Sequence, residues 1–227
     1  MDCSGPEHSG LWRGLIGAAA PGFILSFVSA GACYLAAGPS LGAFLGAMVL
    51  AAVLTPPLIL AEPTWLRRAV AGAAIVDGVA IVWLLAALHS QIGLLQWLGC
   101  YAVLAALVAG LMAMAAALRA ARLPAACASA LTVLVALAWL LWPIWTAPLL
   151  LSESAMGALV WAHPVFAINS IMLDTFPTWP AYSLAYHMTS LPSYAMPSGI
   201  LPCVGAHVLV AAPLLWLAAR YRVRPAD

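Results

Sequence analysis

Apolar residues run along this chain in long blocks, broken by short clusters of glycine, proline and polar residues. Crossing about 30 Å of hydrocarbon takes roughly 20 apolar residues in helical form. Six blocks reach that length: 15–37, 41–61, 69–88, 92–118, 124–145 and 200–219. The breaks at Gly38-Pro39-Ser40, Glu62-Pro63-Thr64, His89-Ser90-Gln91 and 119–123 are short, so consecutive blocks become antiparallel neighbours. The pattern predicts an all-α, polytopic integral membrane helix bundle with six transmembrane helices.

Composition sharpens this. Of 227 residues, 66% are apolar and 7% charged, with a mean hydropathy of +1.06. A soluble domain carries about 25% charge, so that class is excluded. Eight Arg and no Lys face seven acidic residues, a net charge of +1, which offers no broad basic surface for nucleic acid. The five cysteines form no Cys-x-x-Cys pair and mostly lie in apolar runs, where a free thiol behaves as a small hydrophobe. Asp2 and Glu7 stand where a cleavable signal needs basic residues, and the first apolar run is long enough to span.

Charge also orients the bundle, because Arg is retained on the cytoplasmic side during insertion. With six spans and both termini inside, all eight Arg fall in the cytoplasm. The expected location is the cell's inner membrane, with lipid around a multi-pass chain. Trp12, Trp65, Trp216 and Tyr221 then form the inner aromatic belt, and Tyr34, Trp97, Trp142 and Trp145 the outer one.

The stretch 156–173 is apolar but interrupted by His163-Pro164 and Asn169-Ser170. A full crossing here would make seven spans and expel Arg220, Arg222 and Arg224, so a helix half-inserted from the outside is expected. Residues 175–199 mix four prolines with aromatics, Trp179 and Tyr186 among them, and predict an ordered external cap. Three regions follow: a five-span region at 1–148, the cap with its half-inserted helix at 149–199, and the last span with its Arg-rich tail at 200–227.

Few residues carry chemistry. Asp77 is the one ionisable residue deep within a span, where a carboxylate costs at least about 2.5 kcal/mol and so marks a substrate contact, a gate or a hydrogen bond to a neighbouring helix. Pro56 and Pro57 remove backbone donors inside the second span and predict a kink there, a candidate gate. His89 and His207 lie toward the outer side, as do several methionines. Imidazole and thioether ligate haem or copper, but no histidine pair has a ligand spacing, so hydrogen-bonded histidines and no bound cofactor are expected. Gly42/Gly46, Ala106/Gly110 and Ala109/Ala113 have the small-xxx-small spacing of close helix contacts. The fourth span has no Ser to serve an intramembrane protease, and phosphate-binding loops and His-Glu-x-x-His are absent, so no enzyme is expected.

The run Trp161-Ala162-His163-Pro164-Val165-Phe166-Ala167-Ile168-Asn169 follows the fifth span. Together with six spans and a half-inserted external helix, it resembles the permease subunits of ABC exporters, which place a polar-Pro-apolar element there. The resemblance implies a permease protomer powered by a separate ATPase. It also implies an external cap built around His163, Pro164 and Asn169. The family's coupling elements are shortened here to a tail of about a dozen residues and the loop 62–68. An ATPase would therefore dock on Arg13, Trp65, Arg67, Arg68 and Arg119. The alternative is a non-catalytic integral subunit that scaffolds or anchors other subunits of a membrane complex, with a haem- or copper-binding redox subunit a distant third.

Overall fold

The computed structural model describes residues 6–38, 40–89, 92–145, 153–172 and 199–222. Among these, every regular element is an α-helix: α1 (Pro6–Ala37), α2 (Leu41–Ala61), α3 (Trp65–His89), α4 (Leu94–Ala120), α5 (Ala125–Trp145), α6 (Glu153–Ala162), α7 (Pro164–Met172) and α8 (Leu201–Arg222). The chain is a polytopic membrane helix bundle. α1, α2, α3, α4 and α8 are long and apolar enough to cross a bilayer, and α5 runs for 21 residues.

The breaks work through ordinary caps. Gly38 takes a φ of +65°, the left-handed conformation that ends α1 without the strain of a Cβ. The Ser40 hydroxyl accepts from the Ala43 amide at 3.3 Å and opens α2. The Thr64 hydroxyl accepts from the Arg67 amide at 3.3 Å and opens α3, four residues before the apolar block begins. α1 likewise starts nine residues ahead of its apolar block, so helix replaces most of the expected N-terminal tail. Helices propagate through polar flanks once nucleated, and hydropathy locates only their lipid-buried part.

Contacts between helices give their directions. Gly14 lies under Arg67, Gly22 under Ala71 and Ile75, and Gly78 against Phe23 and Phe27, so α1 and α3 run parallel. Phe44 stacks on Trp83 at 5.1 Å, pairing the start of α2 with the late part of α3. The Trp97 indole donates to the Ala80 carbonyl at 3.0 Å while Gly72 meets Met112, so α4 returns antiparallel to α3. Gly99 approaches Ile200 and Gly110 approaches His207, so α8 runs parallel to α4. Arg13, Arg67, Arg68, Arg119, Arg122 and Arg220 consequently gather at one end of the bundle, the arginine end. Trp12, Trp65 and Trp216 are exposed there, and the Arg220 guanidinium rests 5.1 Å over the Trp216 ring.

The expected half-inserted helix is two helices. α6 and α7 meet at His163 with a bend of 70°, where Pro164 removes an amide donor and begins the second helix at its favoured first position. The pair does not cross. His163 reaches Trp139, six residues before the end of α5, and the far end of α7 meets Gln96 and Gly99 at the start of α4. The start of α8 is at that level too, since Ile200 also touches Gly99. The end of α5, the end of α7 and the start of α8 therefore all lie at the end opposite the arginines, so this stretch of chain starts and finishes on one side, with the bent pair as a re-entrant segment within it. The external cap at 175–198, with Trp179 and Tyr186, lies outside the described residues.

The core sits among α2, α3, α4 and α7, with Met48, Ile75, Cys100, Val103, Leu104 and Ile168 fully buried. α1 and α8 are peripheral. Ile16, Ile24, Val28, Leu209 and Val210 face outward, as lipid contact requires. The small-residue spacings do their work inside the chain: Gly46 accommodates Cys33, and Gly110 accommodates His207. The tightest approach, at Gly22 and Gly78 between α1 and α3, has the same spacing, in Gly14/Ala18/Gly22/Ser26 and Ala74/Gly78.

Candidate functional site

Asp77 sits at the midpoint of α3, twelve residues from either end, or about 18 Å at the helical rise. It is exposed rather than covered by a neighbouring helix. Its carboxylate accepts from the Tyr101 hydroxyl of α4 at 3.1 Å and has no cationic partner among the described residues. Both groups line an open groove of about 710 Å³ between α1, α3 and α4, whose other walls include Ile16, Phe23, Ala74 and Trp97. A carboxylate on a bundle face at mid-membrane is costly unless a donor, a proton or water meets it, and Tyr101 supplies one donor.

A second concavity lies beneath the re-entrant hairpin. α4, α5 and α8 surround a cavity of about 360 Å³ with Leu107, Leu111, Met114, Ala136 and Leu214 on its walls, and Ala162 at the hairpin tip closes one end. Val135 and Val210, both largely exposed, stand at its mouth between α5 and α8. In a bilayer, an acyl chain or an apolar ligand has access through the mouth.

Three aromatic rings join the hairpin tip to this cavity. His163 donates from Nε2 to the Trp139 carbonyl at 2.8 Å and packs 5.1 Å from the Trp139 ring and 5.2 Å from Phe166. Trp139 in turn meets His207 edge-on at 6.3 Å. His207 donates from Nδ1 to its own helix at the Cys203 carbonyl, 2.8 Å away. The sequence pattern puts His163 in an external cap and leaves His207 at most a weak ligand. Their meeting around Trp139 depends on the hairpin's return path, which no local pattern encodes.

The other predicted residues are dispersed. Pro56 is buried and Pro57 exposed within α2, which stays one helix through both. The Thr55 hydroxyl donates to the Ala51 carbonyl at 2.7 Å, one residue before the carbonyls that the prolines leave without an amide donor. Pro164 and Asn169 are buried in α7, against the core rather than in an outer cap, and the Asn169 amide nitrogen has no acceptor among the described residues. At the arginine end, Arg68 donates to the Glu62 carbonyl at 2.8 Å and Arg119 to the Leu123 carbonyl at 2.6 Å, so both guanidinium groups fasten their own loops. His89 donates from Nδ1 to the Leu85 carbonyl at 2.7 Å at the exposed end of α3, whereas His207 lies on α8 at the cavity. No group of three or more His, Cys, Asp or Glu side chains is placed to hold a metal among the described residues.

Comparison with protein-family models, curated proteins and solved structures finds no match to this chain.

Proposed function

We propose that this protein is a membrane transport subunit, a permease protomer that moves an apolar or amphipathic substrate when powered by a separate ATPase. The observation that carries the reading is the re-entrant hairpin whose tip closes an apolar cavity open to the bilayer. Irregular backbone at membrane depth persists where protein or a cavity covers it, and a hinge at His163-Pro164 above a substrate-sized space is what a gate needs. Pro56 and Pro57 in α2 and the Asp77–Tyr101 pair are its further working parts. Because Arg is retained inside, the arginine end faces the cytoplasm of the inner membrane, with both termini there and the hairpin outside.

Purification in mild detergent should recover an ATP-hydrolysing partner, and proteoliposomes holding both should move an amphiphile on ATP addition. Recovery without any nucleotide-hydrolysing chain would remove the reading. A second reading, an integral subunit that scaffolds a membrane complex, draws on the arginine end: its α2–α3 and α4–α5 connections are only a few residues long, and Arg68 and Arg119 are engaged locally. Co-purification of other membrane subunits and no ATPase would favour it.

A further inference from the structure

We infer that the groove at Asp77 seats the transmembrane helix of a partner subunit, one that carries an arginine or lysine near its midpoint and sets it against the carboxylate. Such a seat serves a permease protomer and a scaffold alike, so it goes beyond the transport reading and does not depend on it.

Charge defines the chemistry. Asp77 stands exposed at the midpoint of α3, with the Tyr101 hydroxyl at 3.1 Å as its one donor among the described residues. A carboxylate accepts about four hydrogen bonds, and lipid at mid-membrane supplies none. The chain holds no cation for it. Apart from histidine its basic residues are all Arg, and none falls within 14–66, 69–118 or 123–219. Arg68, the nearest along α3, is about 13 Å away at the helical rise, and it is tied to the Glu62 carbonyl. A second copy inserted the same way brings no arginine to that depth either. The countercharge therefore belongs to a different molecule.

Depth and shape make that molecule a helix. A free amphiphile keeps its ammonium among the headgroups, about 15 Å from the midplane, whereas a residue in the middle of an inserted helix is held at the depth of Asp77. The groove also runs along the helices. Its walls include Ile16, Ala20 and Ile24 of α1 and Asp77, Ile81 and Leu84 of α3, which recur at the three- and four-residue steps of a packing ridge. Gly78 lies against the backbone of Phe23 and Phe27, which puts Ile16 level with Ala69 in these parallel helices. From that level to Leu84 is about 22 Å, the length of about fifteen helical residues. Ala74 and Ala80, one turn to either side of Asp77, and Ala19 across from them are small enough for a facing backbone to come close.

Full-length protein would be reconstituted in phosphatidylcholine nanodiscs with a leucine-alanine transmembrane peptide of about 23 residues that carries one central arginine and a benzophenone one turn from it. Companion peptides have leucine at the centre, or the arginine moved two turns toward one end. Association is read by energy transfer, and contacts by mass spectrometry of the cross-links. The central-arginine peptide should associate about 10-fold more tightly than the leucine peptide, the ratio a charge-assisted hydrogen bond provides, and should cross-link to 16–24 and 74–84. Asp77→Asn should bring that ratio to about one, and the displaced arginine should lose most of the preference. Equal association of the arginine and leucine peptides with the wild-type protein, or cross-links elsewhere, overturns the proposal without recourse to any variant. A preference that persists in folded Asp77→Asn overturns it as well. Displacement of the peptide by an equimolar amount of hexadecylamine assigns the groove to a free lipophilic cation, and dimerisation of the protein alone through 16–24 assigns it to a second copy; either result also overturns the proposal. The transport reading fails separately: arginine preference with no ATP-driven flux keeps the seat and removes the permease, and flux without preference does the reverse.

Discussion

The side-chain amide of Gln96 donates to the backbone carbonyl of Ile171 at 3.0 Å, tying the end of α7 to the first turn of α4. The Gln96 carbonyl oxygen simultaneously accepts from the Gly93 amide at 2.8 Å and caps α4. One side chain thus sets the helix start and anchors the returning arm of the hairpin at the same level. Gln96→Ala should loosen α7 by about 1 kcal/mol. Hydrogen exchange across 164–172 should accelerate several-fold while α3 stays protected, and unchanged protection would show that the hairpin is held by packing alone.

Asp77→Asn keeps the shape and an acceptor for the Tyr101 hydroxyl while removing the charge. The variant should express and purify like the parent protein and lose ATP-driven transport in proteoliposomes. Asp77→Leu should destabilise further, by about 1–3 kcal/mol, because it strands the Tyr101 hydroxyl. Full transport by the Asn variant would reduce Asp77 to a structural hydrogen-bond acceptor.

The α1–α3 seam makes a contrast between two glycines. A Cβ at Gly78 would stand 2.7 Å from the Phe23 carbonyl oxygen and meet the Ser26 hydroxyl, so Gly78→Ala should push the helices apart and cost about 2 kcal/mol. Gly17 has nothing within 4 Å of its would-be Cβ. Gly17→Ala should be neutral or stabilising by up to about 1 kcal/mol through helix propensity. Thermal unfolding in detergent, followed by near-UV signal, should move the two midpoints in opposite directions or leave Gly17→Ala unmoved. A common loss would place the sensitivity in α1 generally.

In a cysteine-free background, single cysteines at Gly93 and Arg122 occupy connections at opposite ends of the bundle. An impermeant maleimide added to intact cells should label Gly93→Cys and spare Arg122→Cys until the membrane is opened. The reverse pattern would invert the proposed orientation, and labelling of both from outside would break the topology.

The spans were legible because lipid solvation acts on each helix separately: a block of some 20 apolar residues has to be helical and buried in hydrocarbon wherever it packs. The eight Arg and the His163-Pro164 break, read the same way, predicted a one-sided basic end and a segment that does not cross. Helix faces were another matter. These helices are apolar all round, so no amphipathic stripe says which side turns inward. Only tertiary structure could seat Gly78 against Phe23, leave Asp77 at an open groove with Tyr101, and bring His163 and His207 to either side of Trp139. Each arrangement depends on close packing between segments far apart along the chain, as for the hairpin fastened by Gln96 at a separation of 75 residues. What the chain by itself determined is how much of it lies in the membrane and which end carries charge. Packing in three dimensions decided where the hairpin turns back and what space it encloses, because those depend on shape complementarity between surfaces that are chemically alike.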